Sequence, residues 1–260
     1  MWRQPRDSQG SRLLSVETVA VEALHVALGF DEPIRFPEMW RRRPLVEWSM
    51  DPDDCVLRYI FRNFKPLRHL EFGTWLGDGV LRCVEECDAT VWTINLLQGE
   101  LKTSGEWAYA ARQEDLRQPL SGWSESLKTL DAVWIRTDAY GAIGHHYLAA
   151  GWGRRVCQIY ADSRQWDTSA YPDGFFDSVF IDGGHDQGVV AHDAASATRL
   201  VRAGGLVIWH DFCPDPDVAA ACTSTVGTTA FVRDHRVALA RDFRRLLWIE
   251  PSWLLVGIRR

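Results

Sequence analysis

From Arg68 to its C-terminus, the chain alternates short apolar runs with stretches of helical periodicity, and this alternation most strongly limits its possible folds. Short apolar runs bounded by turn residues predict strands, and the stretches between them predict crossover helices. Strands that alternate with helices form a parallel sheet that the helices cover. The candidate strands are RHLEFG, TVWTINL, RRVCQIYA, FFDSVFID, GGLVIWHD, RRLLWIE and SWLLVGIR.

The last two candidate strands are separated only by Pro251 and Ser252. This connection is too short for a crossover helix, so the two strands should run antiparallel and form a hairpin. The sequence therefore predicts an α/β protein with a seven-stranded, mostly parallel sheet, a C-terminal antiparallel hairpin and helices on both faces.

The flanking regions predict a division of the chain into a cap and a main domain. Apolar residues at helical spacing over residues 13–28 predict a helix, and residues 1–50 are interpreted as an N-terminal helical cap or lid. Residues 51–260 form the main domain, which begins with a helix predicted from Asp53 to Asn63. An insertion at about 98–152 interrupts this domain and is assigned to substrate recognition. It carries Trp107, Trp123, Trp134 and Trp152.

Composition narrows the classes of partner. The net charge of -6 and the pI of about 5.8 disfavour nucleic acid, because binding to a phosphate backbone needs a basic surface. Charged residues break every long apolar run, so neither a signal peptide nor a membrane segment is expected. The six cysteines include no C-x-x-C pair and suit reduced thiols. We expect a cytoplasmic protein that acts on a small molecule, and a homo-oligomer is left open.

The segment LEFGTWLGDG places Glu71, Gly73 and Gly77 where a strand turns into a helix. A glycine after a strand lets the backbone turn sharply and approach a ligand, and the following helix offers free N–H groups. Such a turn suits a carboxylate or a nucleotide. Trp75 stands where a dinucleotide fingerprint requires its middle glycine, and its bulk would obstruct a pyrophosphate. The segment therefore argues against a nicotinamide cofactor.

Polar side chains follow two neighbouring strands farther along the chain. Asp182 and His185 follow one strand, and His210 and Asp211 follow the next. Ligands of open α/β sheets bind at the carboxyl ends of the strands, so these side chains should share one crevice. Carboxylates gathered in this way repel one another unless a cation or proton intervenes, which favours a divalent metal. The nitrogen donor suits manganese, iron or zinc better than magnesium. The alternative is a metal-free site in which His210 hydrogen-bonds the substrate.

These motifs together resemble class I S-adenosylmethionine-dependent methyltransferases, particularly the catechol, caffeoyl-CoA, macrocin-type and methyltransferase-24 groups. The resemblance rests on E-x-G-x-x-x-G upstream of IDGGH and WHDF. It implies that Glu71 lies beneath the methionine part of S-adenosylmethionine, while the turn holds the amino and carboxylate groups. It further implies that Asn95 binds the ribose at a usually acidic position, and that the adenine is contacted after the third strand. The implied cofactor-binding residues are Glu71, Gly73, Thr74, Gly77, Asn95, Asp162 and Ser163.

The resemblance also implies a reaction. It places magnesium, or manganese, at Asp182, His210 and Asp211, and it puts His185 where the catechol enzymes carry their catalytic lysine. With Asp182 and His185 as catalytic residues, the hypothesis is O-methylation of a small hydroxylated acceptor in secondary metabolism. N- or C-methylation is a variant. The alternatives are a metal-dependent hydrolase or hydroxylase on the same scaffold and a non-catalytic cofactor-binding module.

Overall fold

The computed structural model describes residues 16–35, 51–96, 143–214 and 224–260. The strands are β1 Glu17–Ala20, β2 Arg68–Phe72, β3 Thr90–Asn95, β4 Val156–Tyr160, β5 Phe176–Ile181, β6 Val201–Trp209, β7 Phe243–Glu250 and β8 Leu255–Arg259. The α-helices are α1 Leu24–Leu28, α2 Asp51–Phe64, α3 Asp78–Glu86, α4 His145–Ala149, α5 Gln187–Leu200, α6 Thr225–Asp234 and α7 Arg236–Asp242.

The strands form one sheet in the order β1-β7-β8-β6-β5-β2-β3-β4. Every neighbouring pair is parallel except the two that contain β8, which runs antiparallel to both β6 and β7. The predicted mostly parallel sheet and its C-terminal hairpin are therefore confirmed, with residues 251–254 connecting the hairpin strands. Over the described ranges the sheet contains eight strands, and the predicted number of seven is wrong by one.

The additional strand is β1, which lies within the helix predicted for residues 13–28. That prediction is wrong over Glu17–Ala20, and an α-helix is confirmed only for Leu24–Leu28. Residues 17–20 pair in parallel with β7, and Arg245 Nη2 lies 2.7 Å from Glu17 Oε2. Pairing with an edge strand of the sheet outweighs the local helical spacing, because the backbone groups of β7 gain partners.

Helices cover both faces of the sheet, as predicted. On one face, α2 and α3 contribute Leu57, Phe61 and Val84 to a core shared with the strands. On the other face, α5 and α6 contribute Val190 and Phe231 to a second core. Every residue of β5 is buried, as expected for a central parallel strand covered on both sides. The helix predicted from Asp53 to Asn63 is confirmed and spans Asp51–Phe64.

The last residues of the predicted insertion pack against the turn after β2. The backbone N–H of Gly144 donates to the Trp75 carbonyl over 2.8 Å, and that of His146 donates to the Leu76 carbonyl over 2.9 Å. Trp107, Trp123 and Trp134 lie outside the described residues, so the assignment of the insertion to substrate recognition stays a prediction. Within the described ranges, no helix has the length and apolarity needed to cross a membrane.

Candidate active site

The carboxyl ends of β2, β5 and β6 lie side by side and bring the two sequence motifs into contact. The backbone N–H of Asp182 donates to the Phe72 carbonyl over 2.8 Å, and that of His210 donates to the Ile181 carbonyl over 3.0 Å. A Cβ added at Gly73 would lie 2.0 Å from the Asp182 carbonyl oxygen. The predicted convergence of the side chains that follow β5 and β6 is therefore confirmed for Asp182, His210 and Asp211, and the end of β2 lies beside them.

Residues 73–77, here named the glycine turn, connect β2 to α3 through left-handed backbone. The φ angles are 97° at Gly73, 41° at Trp75 and 90° at Gly77, and a side chain is strained in this region. The backbone N–H of Trp75 donates to Asn95 Oδ1 over 3.0 Å, which fixes the strained residue from the end of β3. Because α3 begins immediately afterwards at Asp78, the N–H groups of its first turn, which have no partner within the helix, lie beside the turn.

Glu71 lies in β2 beneath the glycine turn and is fully buried. Its Oε2 has no hydrogen-bond partner among the described residues, and a Cβ added at Gly79 would lie 2.4 Å from that oxygen. Burial raises the pKa of the Glu71 carboxyl well above its usual range, and the nearby charge of Asp182 raises it further. A buried carboxyl in this state can gain a cationic ligand as a partner.

Thr74 and Asn95 use their side chains to hold the protein together at this point. The Thr74 hydroxyl lies 2.7 Å from that of Thr93 and accepts a hydrogen bond from Gln158 Nε2 over 2.9 Å. Asn95 accepts from Trp75 and donates through Nδ2 to the Leu96 carbonyl over 2.8 Å. The backbone of Thr74 is also bonded within the protein, since its N–H donates to the Ile94 carbonyl over 3.3 Å and its carbonyl accepts from Gly77 N–H over 2.7 Å. The roles of Thr74 and Asn95 in cofactor binding stay predictions.

Asp162 and Ser163 follow β4 on a loop fixed to α5. Asp162 Oδ1 accepts hydrogen bonds from the backbone N–H and the Nε of Arg164, each over 3.0 Å. Ser163 is hydrogen-bonded to the buried carboxyl of Asp193, and burial raises the pKa of Asp193 to about 6. The loop is thus held in place beside the strand ends, and its predicted contact with adenine is untested.

Asp182, His210 and Asp211, here named the acidic cluster, offer potential ligand atoms that all lie within 4.8 Å of one another. His210 Nδ1 lies 3.0 Å from Asp182 Oδ1 and 3.4 Å from Asp211 Oδ1. Burial would raise the pKa of the Asp211 carboxyl, but the charge of His210 and the hydrogen bond from His185 hold it well below its usual range. Asp211 is therefore ionised at neutral pH.

His210 is buried between carboxylates on two sides. Its Nε2 lies 3.2 Å from Asp53 Oδ2, and Asp53 is itself buried. Burial would lower the pKa of His210, but the charges of Asp182 and Asp211 raise it well above its ordinary value. The Nδ1 atom forms no hydrogen bond of acceptable geometry within the described ranges, despite its closeness to both carboxylates. A positive charge, either a proton or a metal ion, is needed between these atoms.

His185 extends from the loop after β5 and forms a pair with Asp211. Its Nδ1 lies 2.8 Å from Asp211 Oδ2, and 54% of its side-chain surface is exposed. The hydrogen bond to Asp211 raises the pKa of His185 above its ordinary value, although burial opposes the shift. When Nδ1–H donates to the carboxylate, the lone pair of Nε2 is left available to accept a proton.

Comparison with known proteins assigns the family. The model of the methyltransferase-24 family, described as a methyltransferase domain, matches residues 70–212, which is more than half of the chain. The chain belongs to this methyltransferase family. The matched range contains the glycine turn and the acidic cluster, and the protein is an S-adenosylmethionine-dependent methyltransferase. The family favours this activity over the hydrolase, hydroxylase and non-catalytic alternatives.

Several solved structures are similar to this methyltransferase. The SAH-bound methyltransferase PaMTH1 of Podospora anserina is 16% identical, with a TM-score of 0.48, and the match covers 86% of this chain and 89% of that one. An O-methyltransferase from Bacillus cereus in complex with SAH is 15% identical, with a TM-score of 0.46 and coverage of 85% and 86%. TomG, an O-methyltransferase from Streptomyces achromogenes in complex with SAM, is 15% identical, with a TM-score of 0.45 and coverage of 92% and 87%.

Two residues of the methyltransferase site were absent from the sequence-based set. Asp53 of α2 contacts His210 across 157 positions of sequence, and Ser224 donates from its hydroxyl to Asp211 Oδ1 over 3.1 Å. Asp53 lies within α2 and Ser224 directly precedes α6, so neither belongs to the strand-end motifs from which the site was predicted. Because only the packing of distant elements brings them to the cluster, no local pattern marks them.

Proposed function

We propose that this methyltransferase transfers the methyl group of S-adenosylmethionine to a hydroxyl oxygen of a small acceptor in secondary metabolism, with the help of a divalent metal. The observation that carries the proposal is the His185–Asp211 pair, which places a proton acceptor directly beside the acidic cluster. Methylation of a hydroxyl requires removal of a proton, and this pair is suited to accept it.

The donor chemistry of the acidic cluster fits a divalent metal. Asp182 and Asp211 supply carboxylate oxygens, and the buried Nδ1 of His210 lacks a hydrogen bond within the described structure. A mixed set of oxygen and nitrogen donors suits manganese, and magnesium remains a candidate through the carboxylates. A metal held here would lower the pKa of an acceptor hydroxyl and orient it.

The glycine turn fits the methionine end of the cofactor. Glu71 Oε2, which has no hydrogen-bond partner in the part of the chain that the structure describes, is suited to an ammonium group, and the first turn of α3 is suited to a carboxylate. We assign the glycine turn, with Gly73, Thr74 and Gly77, to this end. The ribose and adenine are assigned to Asn95, Asp162 and Ser163. Bound S-adenosylmethionine supplies the methyl group.

The chain contributes orientation and proton removal to the reaction. Asp211 holds Nδ1–H of His185, so that Nε2 is directed to receive the proton of the acceptor hydroxyl. Alignment of the acceptor oxygen with the methyl group in a fixed site supplies most of the expected rate gain. Asp182 contributes by holding the acceptor side of the site next to the glycine turn. Its backbone N–H donates to the Phe72 carbonyl, and its own carbonyl lies against Gly73.

The test is methyl transfer from isotope-labelled S-adenosylmethionine to a panel of phenols, catechols, glycosides and amines, with products identified by mass spectrometry. We expect an O-methylated product whose formation falls at least about a hundredfold in Asp182→Ala, with cofactor affinity retained. The matched control is Asp173→Ala, because Asp173 is an exposed carboxylate paired only with Arg199 in the described structure. Equal rates in Asp182→Ala and wild type would contradict the site, and exclusively N- or C-methylated products would contradict the accepting atom.

A further inference from the structure

Asp53 is a buried acid next to the acidic cluster, and the proposed mechanism gives it no role. It comes from α2, and the residue is 2% exposed. Oδ1 accepts the backbone N–H of Trp253 over 2.9 Å, and Oδ2 lies 3.2 Å from His210 Nε2. Asp53 thus connects His210 to the β7–β8 hairpin from the side opposite Asp182.

The contacts of Asp53 determine which nitrogen of His210 carries a proton when the imidazole is neutral. A carboxylate accepts hydrogen bonds, so Nε2 must be the donor toward Asp53. The lone pair then belongs to Nδ1, which lies 3.0 Å from Asp182 Oδ1. A lone pair directed at two carboxylates is unfavourable unless a cation lies between them. The arrangement matches a histidine ligand whose second nitrogen donates to an outer carboxylate.

We infer that Asp53 is a positioning residue that presents His210 Nδ1 as a metal-ligand atom and thereby gives the site a preference for nitrogen-binding divalent metals over magnesium. The inference rests on the proposed metal site. Magnesium prefers oxygen ligands, whereas manganese and cobalt accept imidazole nitrogen. The Asp53–His210 contact therefore affects the binding of manganese and cobalt more than that of magnesium.

Asp53→Asn tests the proton position while conserving side-chain volume. The amide oxygen can still accept the Trp253 N–H, but the amide nitrogen then faces His210 Nε2 and donates to it. His210 must in response carry its proton on Nδ1, the atom that should bind the metal. The matched control is Asp54→Asn on the same helix, because Asp54 pairs with Arg58 and Arg82 and does not contact His210 in the described structure.

The experiment measures the binding of Co²⁺, Mn²⁺ and Mg²⁺ to the full chain by calorimetry, together with the visible absorption of bound Co²⁺. We expect Asp53→Asn to weaken Co²⁺ and Mn²⁺ binding about 10- to 100-fold, to alter the Co²⁺ spectrum and to affect Mg²⁺ less. Affinity for S-adenosylhomocysteine should be unchanged, and Asp54→Asn should bind metals like the wild type. A purely structural role for Asp53 would weaken all three metals equally.

The outcomes separate this inference from the proposed function. If the wild-type protein binds no divalent metal, both the proposed metal-assisted function and the role of Asp53 are contradicted. If the wild type and Asp53→Asn bind Co²⁺ equally tightly and with the same spectrum, only the role of Asp53 is overturned. If Asp53→Asn does not fold, ¹⁵N NMR of histidine in the Zn²⁺-loaded wild type decides. His210 should then carry its proton on Nε2 with Nδ1 bound to zinc, and the opposite tautomer overturns the inference.

Discussion

The glycine turn and the acidic cluster lie at adjacent strand ends but are built in different ways. The turn is held by hydrogen bonds within the protein, and the buried carboxyl beneath it, Glu71, has an oxygen with no partner among the described residues. The cluster presents side chains, and its buried carboxylate Asp211 is paired with His185 and lies near His210. Burial therefore raises the pKa of Glu71, whereas neighbouring histidines hold that of Asp211 low.

The difference indicates that the two regions respond differently to a charged ligand. Burial favours the neutral form of the Glu71 carboxyl, so the glycine turn is suited to gain charge when a cationic ligand binds. In the acidic cluster, the carboxylates of Asp182 and Asp211 favour a positive charge on His210, which in turn favours the ionised form of Asp211. Changes in the turn should therefore affect cofactor affinity, and changes in the cluster should affect metal binding and turnover.

Gly73→Ala should have the largest effect, because the glycine turn and the acidic cluster touch at this residue. The new Cβ would meet the Asp182 carbonyl at 2.0 Å, so the turn and the cluster must move apart. We expect about 3 kcal/mol of destabilisation or more, with loss of both cofactor and metal binding. Gly151→Ala is the control, since Gly151 has a φ of 83° but nothing within 4 Å of its added Cβ. Unfolding by denaturant measures the change in stability, and cofactor titration measures the change in affinity. Near wild-type behaviour of Gly73→Ala would contradict the packing.

Glu71→Gln should affect the glycine turn and leave the acidic cluster intact, because it removes a titratable group from beneath the turn alone. Because an ammonium ligand favours the ionised carboxylate, cofactor binding to the wild type should release up to about one proton, and affinity should rise with pH toward the raised pKa of Glu71. The variant should lose this proton release and bind about 10- to 100-fold more weakly.

The same group affects the stability of the cofactor-free protein with a defined sign. The folded state retains a proton on Glu71 that the unfolded state loses, so stability should fall as pH rises from the ordinary glutamate pKa toward the raised one. Glu71→Gln should remove this fall in stability, and Glu85→Gln, at an exposed position on α3, should keep it.

Calorimetry of cofactor binding in buffers of different ionisation enthalpy counts the protons that are released on binding. Equal proton release by Glu71→Gln and the wild type would exclude the assignment.

Asn95→Ala should have the smallest effect, because it loosens the turn without creating a clash. It removes the acceptor of Trp75 N–H and the donor to Leu96, so we expect a loss of about 1–2 kcal/mol in stability and roughly tenfold in cofactor affinity. Asn63→Ala, which removes one amide contact to the Tyr59 carbonyl on α2, should lower stability without changing cofactor affinity. If both variants bind the cofactor equally well, Asn95 does not support the site.

The sequence predicted those parts of the fold that are recorded in local patterns. Apolar runs identified seven strands, and the short connection after Glu250 identified the hairpin. The four residues of β1 escaped prediction, because their strand conformation depends on pairing with β7, far away in sequence. Helical spacing around Val19 concealed that pairing.

The site likewise contains residues that local sequence patterns identify and residues that only the packing of distant elements brings together. Asp182, His210 and Asp211 follow strands, so topology alone indicated that they meet. Asp53 approaches from a helix 157 residues earlier, and only its packing between His210 and Trp253 reveals it. The side-chain contacts of Thr74 and Asn95 within the protein were likewise invisible in the sequence, because they depend on the register of β2, β3 and β4.

The two parts of the site are tested most directly by titrating the wild type and Asp182→Ala with S-adenosylmethionine, each with and without Mn²⁺. We predict that both proteins bind one equivalent of cofactor with similar affinity in the absence of metal. Only the wild type should bind one equivalent of Mn²⁺. Failure of the wild type to bind S-adenosylmethionine, or equal Mn²⁺ binding by the two proteins, would contradict a site made of a cofactor-binding turn and a separate metal-binding cluster.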